Sequence, residues 1–307
     1  MKPDDSSLNP VDLDIIEKRA RLLLDKADAW EVYPVPINDL LAAANVQVAP
    51  TSAFDPIALV NYLQGKASQV GNNIKSALSK VLGLYDAAES LIHIDDTVTE
   101  ARQTFLKLHE TGHHDIPTHK KLFRFFQDCE KTLAPEIADQ FEREANNFAR
   151  FALFKGDRYS QDAADCAFEI KTPIKLAKRY GASVYASARE FARTNHRACV
   201  VYVLEPIEFV EGAGAQAQVR RIETSPAFRL QFGVPSEMVI TLDHALGPIL
   251  PIGRKMTKPR VVIFDDRNGV SHECLAEAFD TTYNVVLFMY PTKALAKPVI
   301  LKPLSTI

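Results

Sequence analysis

The chain has 307 residues, 47% of them hydrophobic and 24% charged, with a formal net charge of -3. This suits an ordinary soluble protein of two domains with room for a small third. A membrane-spanning or secreted chain is not expected, since no apolar run approaches the ~20 residues that cross a bilayer and no signal peptide opens the sequence.

Cys129, Cys166, Cys199 and Cys274 lack CxxC spacing. That points to reduced thiols in a cytoplasm rather than a disulfide framework or a thiolate zinc site. Met1 to Pro10 is polar and is expected to be unstructured. Residues 11–29 read as an amphipathic helix through Ile15, Ile16, Ala20, Leu23 and Leu24. A second helix is expected over Asn38 to Ala44, followed by extended chain from Val46 to Ala49. Residues 53–80 read as helical material broken at Gly65 and Gly71, an insertion beside a core. Lys80 to Asp86 and Ser90 to Ile94 read as two strands.

The run LKLHETGHH, residues 106–114, follows directly. It carries His109, Glu110 and His113 in the zinc-peptidase order His-Glu-x-x-His. At ~3.6 residues per turn, positions i and i+4 share a helix face, so both imidazoles can reach one metal ion. Glu110 sits beside them, where it can hold an activated water. Thr99 is a good N-cap, and Glu100 adds negative charge at the positive helix end. Phe105, Leu108 and Leu106 suit a helix packed on a core. Gly112 leaves room near the metal end, although it costs roughly 1 kcal/mol of helix propensity against alanine.

A catalytic zinc site takes three protein ligands and keeps a fourth position open. The third is expected from FEREANNFARFALF, residues 141–154, in a helix that opens after Pro135. Glu142 would bind the metal, with Glu144 in reserve. Asn146, four residues on, could hold the outer ring nitrogen of a ligating histidine. Zinc is the expected metal, and manganese also suits two imidazoles and a carboxylate. His114 and His119 are expected at the surface. An oxyanion donor could come from His114, His93, Tyr85 or Arg102.

HETGHH followed by EREANNFA, together with YPVPINDLLAAANVQV at residues 33–48, resembles the ImmA/IrrE family of metallopeptidases. The resemblance implies a gluzincin-like domain built on a small sheet, with an edge strand that pairs with substrate backbone. It implies an endopeptidase of narrow specificity, whose protein substrate is a helix-turn-helix repressor of stress-response or mobile-element genes.

From Thr172, TPIKLAKRYGASVYASAREFARTNHR reads as two short helices joined at Gly181, capped at Thr172 and Ser183. Its excess of basic residues makes Lys178, Arg179 and Arg189 candidates for contact with DNA phosphates. Beyond Ala198 the chain turns β-rich over Cys199 to Leu204, Val239 to Leu242, Arg260 to Phe264 and Asn284 to Tyr290, with a helix expected over residues 273–280. The resemblance implies a GAF-type sensor fold here. The expected class is therefore α+β throughout. A metallopeptidase domain covers residues 11–157, a helix-turn-helix-like segment 158–197, and a sensor or recruitment domain 198–307. The competing account is a non-catalytic regulator that binds DNA or a toxin–antitoxin partner.

Overall fold

The computed structural model describes residues 5–49, 83–86, 90–94, 97–119, 135–212 and 214–293. The helical insertion expected over residues 53–80, and the run from Lys120 to Phe126, lie outside the described residues. Among the described residues the fold is α+β, in two compact units. The first draws its described residues from Met1–Arg158 and Lys178–Ala182, the second from Tyr159–Ala177 and Ser183–Ile307.

In the first unit, α1 (Pro10–Lys26) starts with proline at a position that needs no N–H donor. The Asn9 side chain accepts from the N–H groups of Val11 and Asp12 at 3.0 and 2.9 Å. Ile16, Ala20, Leu23 and Leu24, at three- and four-residue steps, form its buried stripe, whereas Ile15 faces solvent. Helix α2 (Ile37–Ala44) ends at Asn45, which takes the left-handed conformation common after a helix.

Strand β1 (Gln47–Val48) then pairs in parallel with β3 (Leu91–Ile94), and β2 (Gly83–Asp86) runs antiparallel on β3's other side. The sheet order is β1-β3-β2, so among the described residues β2 lies at an edge. Helix α3 (Glu100–Asp115) packs on β2, β3 and α2, and helix α4 (Pro135–Phe154) packs on α3 and α1. Thr99 stands at the α3 cap position, but its carbonyl rather than its hydroxyl serves the first turn.

Residues Asp5–Asn9, expected to be unstructured, are tied to α4. Asn146 and Asn147 donate from Nδ2 to the carbonyls of Asp5 and Ser6, each at 2.8 Å. A polar segment needs no apolar side chains to be held when another element offers donors to its backbone. At the far end of α4, buried Lys155 donates to the carbonyls of Ala29, Trp30 and Val32, which closes the turn after α1.

Helix α5 (Arg158–Ala164) leads to α6 (Lys171–Tyr180). Helix α6 begins one residue before the expected Thr172 cap, and that hydroxyl instead donates to the Ala167 carbonyl at 2.6 Å. Gly181, at φ +69, ends α6 in a conformation that L side chains rarely adopt. Ser183 then caps α7 (Val184–Thr194), accepting from the Ala186 N–H at 3.1 Å.

The second unit is built on an antiparallel sheet of β4 (Val200–Leu204), β5 (Glu208–Val210), β6 (Gly214–Thr224), β7 (Val239–Thr241), β8 (Arg260–Asp265), β9 (Ser271–Asp280) and β10 (Val285–Pro291). The order is β5-β6-β4-β10-β9-β8, with β7 paired to β6. One face packs Tyr202, Leu287 and Met289 against Phe228 and Phe232 of α8 (Pro226–Phe232). On the other, Phe191 of α7 and Phe168 meet Phe288.

Residues 273–280, expected to be helical, are β9. Their alanines and glutamates favour a helix locally, but pairing with β8 on one side and β10 on the other overrides that preference. No helix among the described residues is long and apolar enough to cross a membrane.

Candidate metal centre

His109 and His113 lie one turn apart on α3 and are buried, with Nε2 atoms 3.2 Å apart. The third group comes from α4. Glu142 places Oε2 at 3.2 Å from His109 Nε2 and Oε1 at 3.5 Å from His113 Nε2. What brings the helices this close is Gly112. A Cβ there would stand 3.2 Å from Phe148 Cβ and 3.3 Å from Ala145 Cα, so alanine would press α4 away.

The donor set fits a metal. Ligand atoms bound tetrahedrally to zinc at ~2.0–2.1 Å stand roughly 3.3 Å from one another. The 3.2 Å between the two Nε2 atoms is such an edge, and Glu142 turns one oxygen toward each imidazole, Oε2 at 3.2 Å and Oε1 at 3.5 Å, so that one carboxylate oxygen can complete the set. His109, His113 and Glu142 form the group that could hold a metal ion among the described residues. Glu144, the reserve ligand, is not part of it.

The outer ring nitrogens have polar partners of their own. His109 Nδ1 lies 3.1 Å from Asn146 Oδ1, the placement expected of Asn146. His113 Nδ1 lies 3.0 Å from Nδ1 of His119. His119 Nε2 is in turn 2.8 Å from Glu144 Oε2, and Gln140 donates to Glu144 Oε1 at 2.8 Å. His119 and His114, expected at the surface, are both buried. The His119 ring stacks on Phe141 with centroids 3.9 Å apart. One sequence signal did point here: Gln140 and Glu144 are four apart on a helix, a spacing at which side chains meet.

Electrostatics separates the groups. Burial pushes the Glu110 carboxyl up to about 7, with His109 opposing and Glu142 adding to the rise. Burial also lowers His113 to about 4, against the pull of Glu142. For His109, burial works downward, but the Glu142 carboxylate outweighs it and raises the group to about 9. Glu142 is disfavoured as an anion by burial, yet the two imidazoles hold it far below the usual carboxylate range. A carboxylate that stays ionised beside two imidazoles is a ready cation ligand, whereas Glu110, buried and less acidic, is suited to exchange a proton.

The remaining candidates are placed elsewhere or lie outside the described residues. The side chains of Tyr85 and His93 are among the latter, and Arg102 is exposed in the first turns of α3. Lys178 and Arg179 are exposed at the end of α6, where the Arg179 guanidinium lies 4.3 Å from the Tyr33 ring centroid. Arg189 is engaged: it donates to Glu223 Oε2 at 3.3 Å and to the Tyr185 hydroxyl at 3.2 Å. Its side chain is only 13% exposed, so a phosphate could reach it only by displacing Glu223.

No known family matches the sequence, and no curated protein matches it either. Among solved structures, the chain is similar to a Mycobacterium tuberculosis transcriptional regulator at 10% identity and a TM-score of 0.44. The match covers 90% of this chain and 75% of that one.

Proposed function

We propose that the chain is a metal-dependent endopeptidase of narrow specificity. The observation that carries this reading is the convergence of His109, His113 and Glu142 on one point, with Glu110 beside them and outside the ligand set. Zinc or manganese held there would supply a Lewis acid that polarises a carbonyl and makes water more acidic. Glu110 would take the proton of the attacking water and deliver it to the leaving amine nitrogen. His109 and His113 would stay fixed in orientation through Asn146 and His119. Strand β2, packed on the helix that carries the histidines and at the edge of the sheet among the described residues, would pair with an extended peptide.

The resemblance to ImmA/IrrE proteins suggests the substrate, a helix-turn-helix repressor cut to release its genes, with residues 198–307 as the sensor or recruitment part. The competing regulator account draws on exposed Lys178 and Arg179. It requires that charge reversal at these two abolish function with a steep salt dependence.

The test combines metal analysis with Glu110→Gln. The purified protein should hold about one metal ion per chain, lost in His113→Ala and Glu142→Ala. Glu110→Gln should keep the metal and lose peptide cleavage by on the order of 10²–10⁴-fold, read by comparing new protein N-termini in cells carrying either form. If the metal-loaded Glu110→Gln protein performs the biological role unimpaired, hydrolysis is not its function.

A further inference from the structure

The geometry points to a buried relay, His113 to His119 to Glu144, that fixes the orientation and protonated nitrogen of a metal-ligating histidine and sets how tightly the metal is held. This deepens the proposed function and rests on the reading of His109, His113 and Glu142 as ligands.

The argument follows from donors and acceptors. If His113 gives its Nε2 lone pair to a metal, its proton must sit on Nδ1. That N–H faces His119 Nδ1 at 3.0 Å, which must then accept. A neutral imidazole that accepts at Nδ1 carries its proton on Nε2, and this nitrogen faces Glu144 Oε2 at 2.8 Å. Glu144 accepts as a carboxylate, and its other oxygen is held by Gln140. Each link thus fixes the direction of the next, and every bond in the series has one donor and one acceptor. Reversing the series would put a proton on the ligating nitrogen.

The setting preserves the arrangement. His119 is fully buried and stacked on Phe141, and Glu144 is 8% exposed, so solvent competes little for these bonds. The partner histidine is oriented by a neutral amide, Asn146. The two ligands are therefore supported unequally: a carboxylate at the end of a relay makes His113 the stronger electron donor. Positions 140, 141 and 144 also lie on the helix that supplies Glu142, so one helix contributes a ligand and the support for another. His119 and Glu144 are positioning residues, with no contact to a reacting atom assigned to them.

The test uses the full chain and zinc itself, with affinity read by chelator competition. Glu144→Gln keeps shape and removes the charge. His119→Phe keeps the ring stack and removes the acceptor. His119→Asn puts Oδ1 where the imidazole Nδ1 stands, as Asn146 does for His109. Glu144→Gln and His119→Phe should weaken zinc binding by roughly 10- to 100-fold, and His119→Asn should recover part of that loss. In zinc-loaded protein, nitrogen NMR of the imidazoles should report His119 protonated at Nε2 and His113 at Nδ1. This signature separates a relay from general packing. Wild-type affinity in both Glu144→Gln and His119→Phe, or a proton on His119 Nδ1, would overturn the relay while leaving the metal site standing. A wild-type chain that takes up no zinc would overturn both.

Discussion

Asn146 uses both ends of its amide, its oxygen facing His109 Nδ1 and its nitrogen donating to the Asp5 carbonyl. Asn146→Leu removes both bonds at similar volume, so metal affinity should fall by about 10-fold in chelator competition, with the fold retained by circular dichroism. An unchanged affinity would mean that packing alone orients His109. The two histidines and Glu110 could be read from the sequence because their geometry is local: i and i+4 on a helix need nothing beyond the helix. Glu142 could be read because a carboxylate on a second helix completes a known donor set. His119 could not. Its role depends on how the chain turns after Ile116, a tertiary fact, and a lone histidine in a polar stretch carries no sign that it will be buried.

Elements meet at two places where a single residue sets the approach. Gly112→Ala would gain roughly 1 kcal/mol of helix propensity. It would also force a methyl to 3.2 Å from Phe148 Cβ, where overpacking costs about 1–3 kcal/mol. The steric term wins, so the variant should melt lower and bind metal more weakly, because α4 carries Glu142 away from α3. In the second unit, Glu223 of β6 takes contacts from Arg189 at 3.3 Å and Arg193 at 2.6 Å, which pins α7 to the sheet. Burial works against the carboxylate, but the two guanidinium groups hold its pKa below the ordinary 4.5.

A group lowered by folding stabilises the native state above its unfolded pKa and loses that contribution as pH falls through the folded value. Acid unfolding followed below about pH 4.5 should therefore lose a component in Glu223→Gln. That variant should also be less stable at neutral pH by ~1–3 kcal/mol, since both arginines lose their shared carboxylate while Arg189 keeps the Tyr185 hydroxyl and Arg193 keeps Glu190. Element type was readable from the hydrophobic period in α1, and from period together with the Ser183 cap in α7. It failed at β9, where Ala and Glu at positions 276–278 belong to a strand bonded on both sides.

At the scale of the molecule, the cysteines report on how closed the second unit is. Cys199 and Cys274 are fully buried, and burial pushes both thiols up to about 12. Cys166 is half-buried. Brief alkylation of the native protein at neutral pH should label Cys166 and spare Cys199 and Cys274, as peptide mapping would read. Labelling of Cys274 would mean that the sheet opens. Among the described residues, Cys166, Cys199 and Cys274 are not bonded to one another.

The hold of α4 on Asp5 and Ser6 carries a consequence in time. The Asn146–Asp5 and Asn147–Ser6 bonds each span 141 positions, and in the proposed metal centre His109 and His113 must wait for Glu142. A chain made from its N-terminus at ~5–20 residues per second exposes its histidines seconds before the carboxylate that completes the site. During that interval a metal ion would find two of the three proposed ligands. Loading of the proposed centre would thus belong to the end of this unit's synthesis, and a ribosome stalled before residue 142 should display a chain that retains metal poorly.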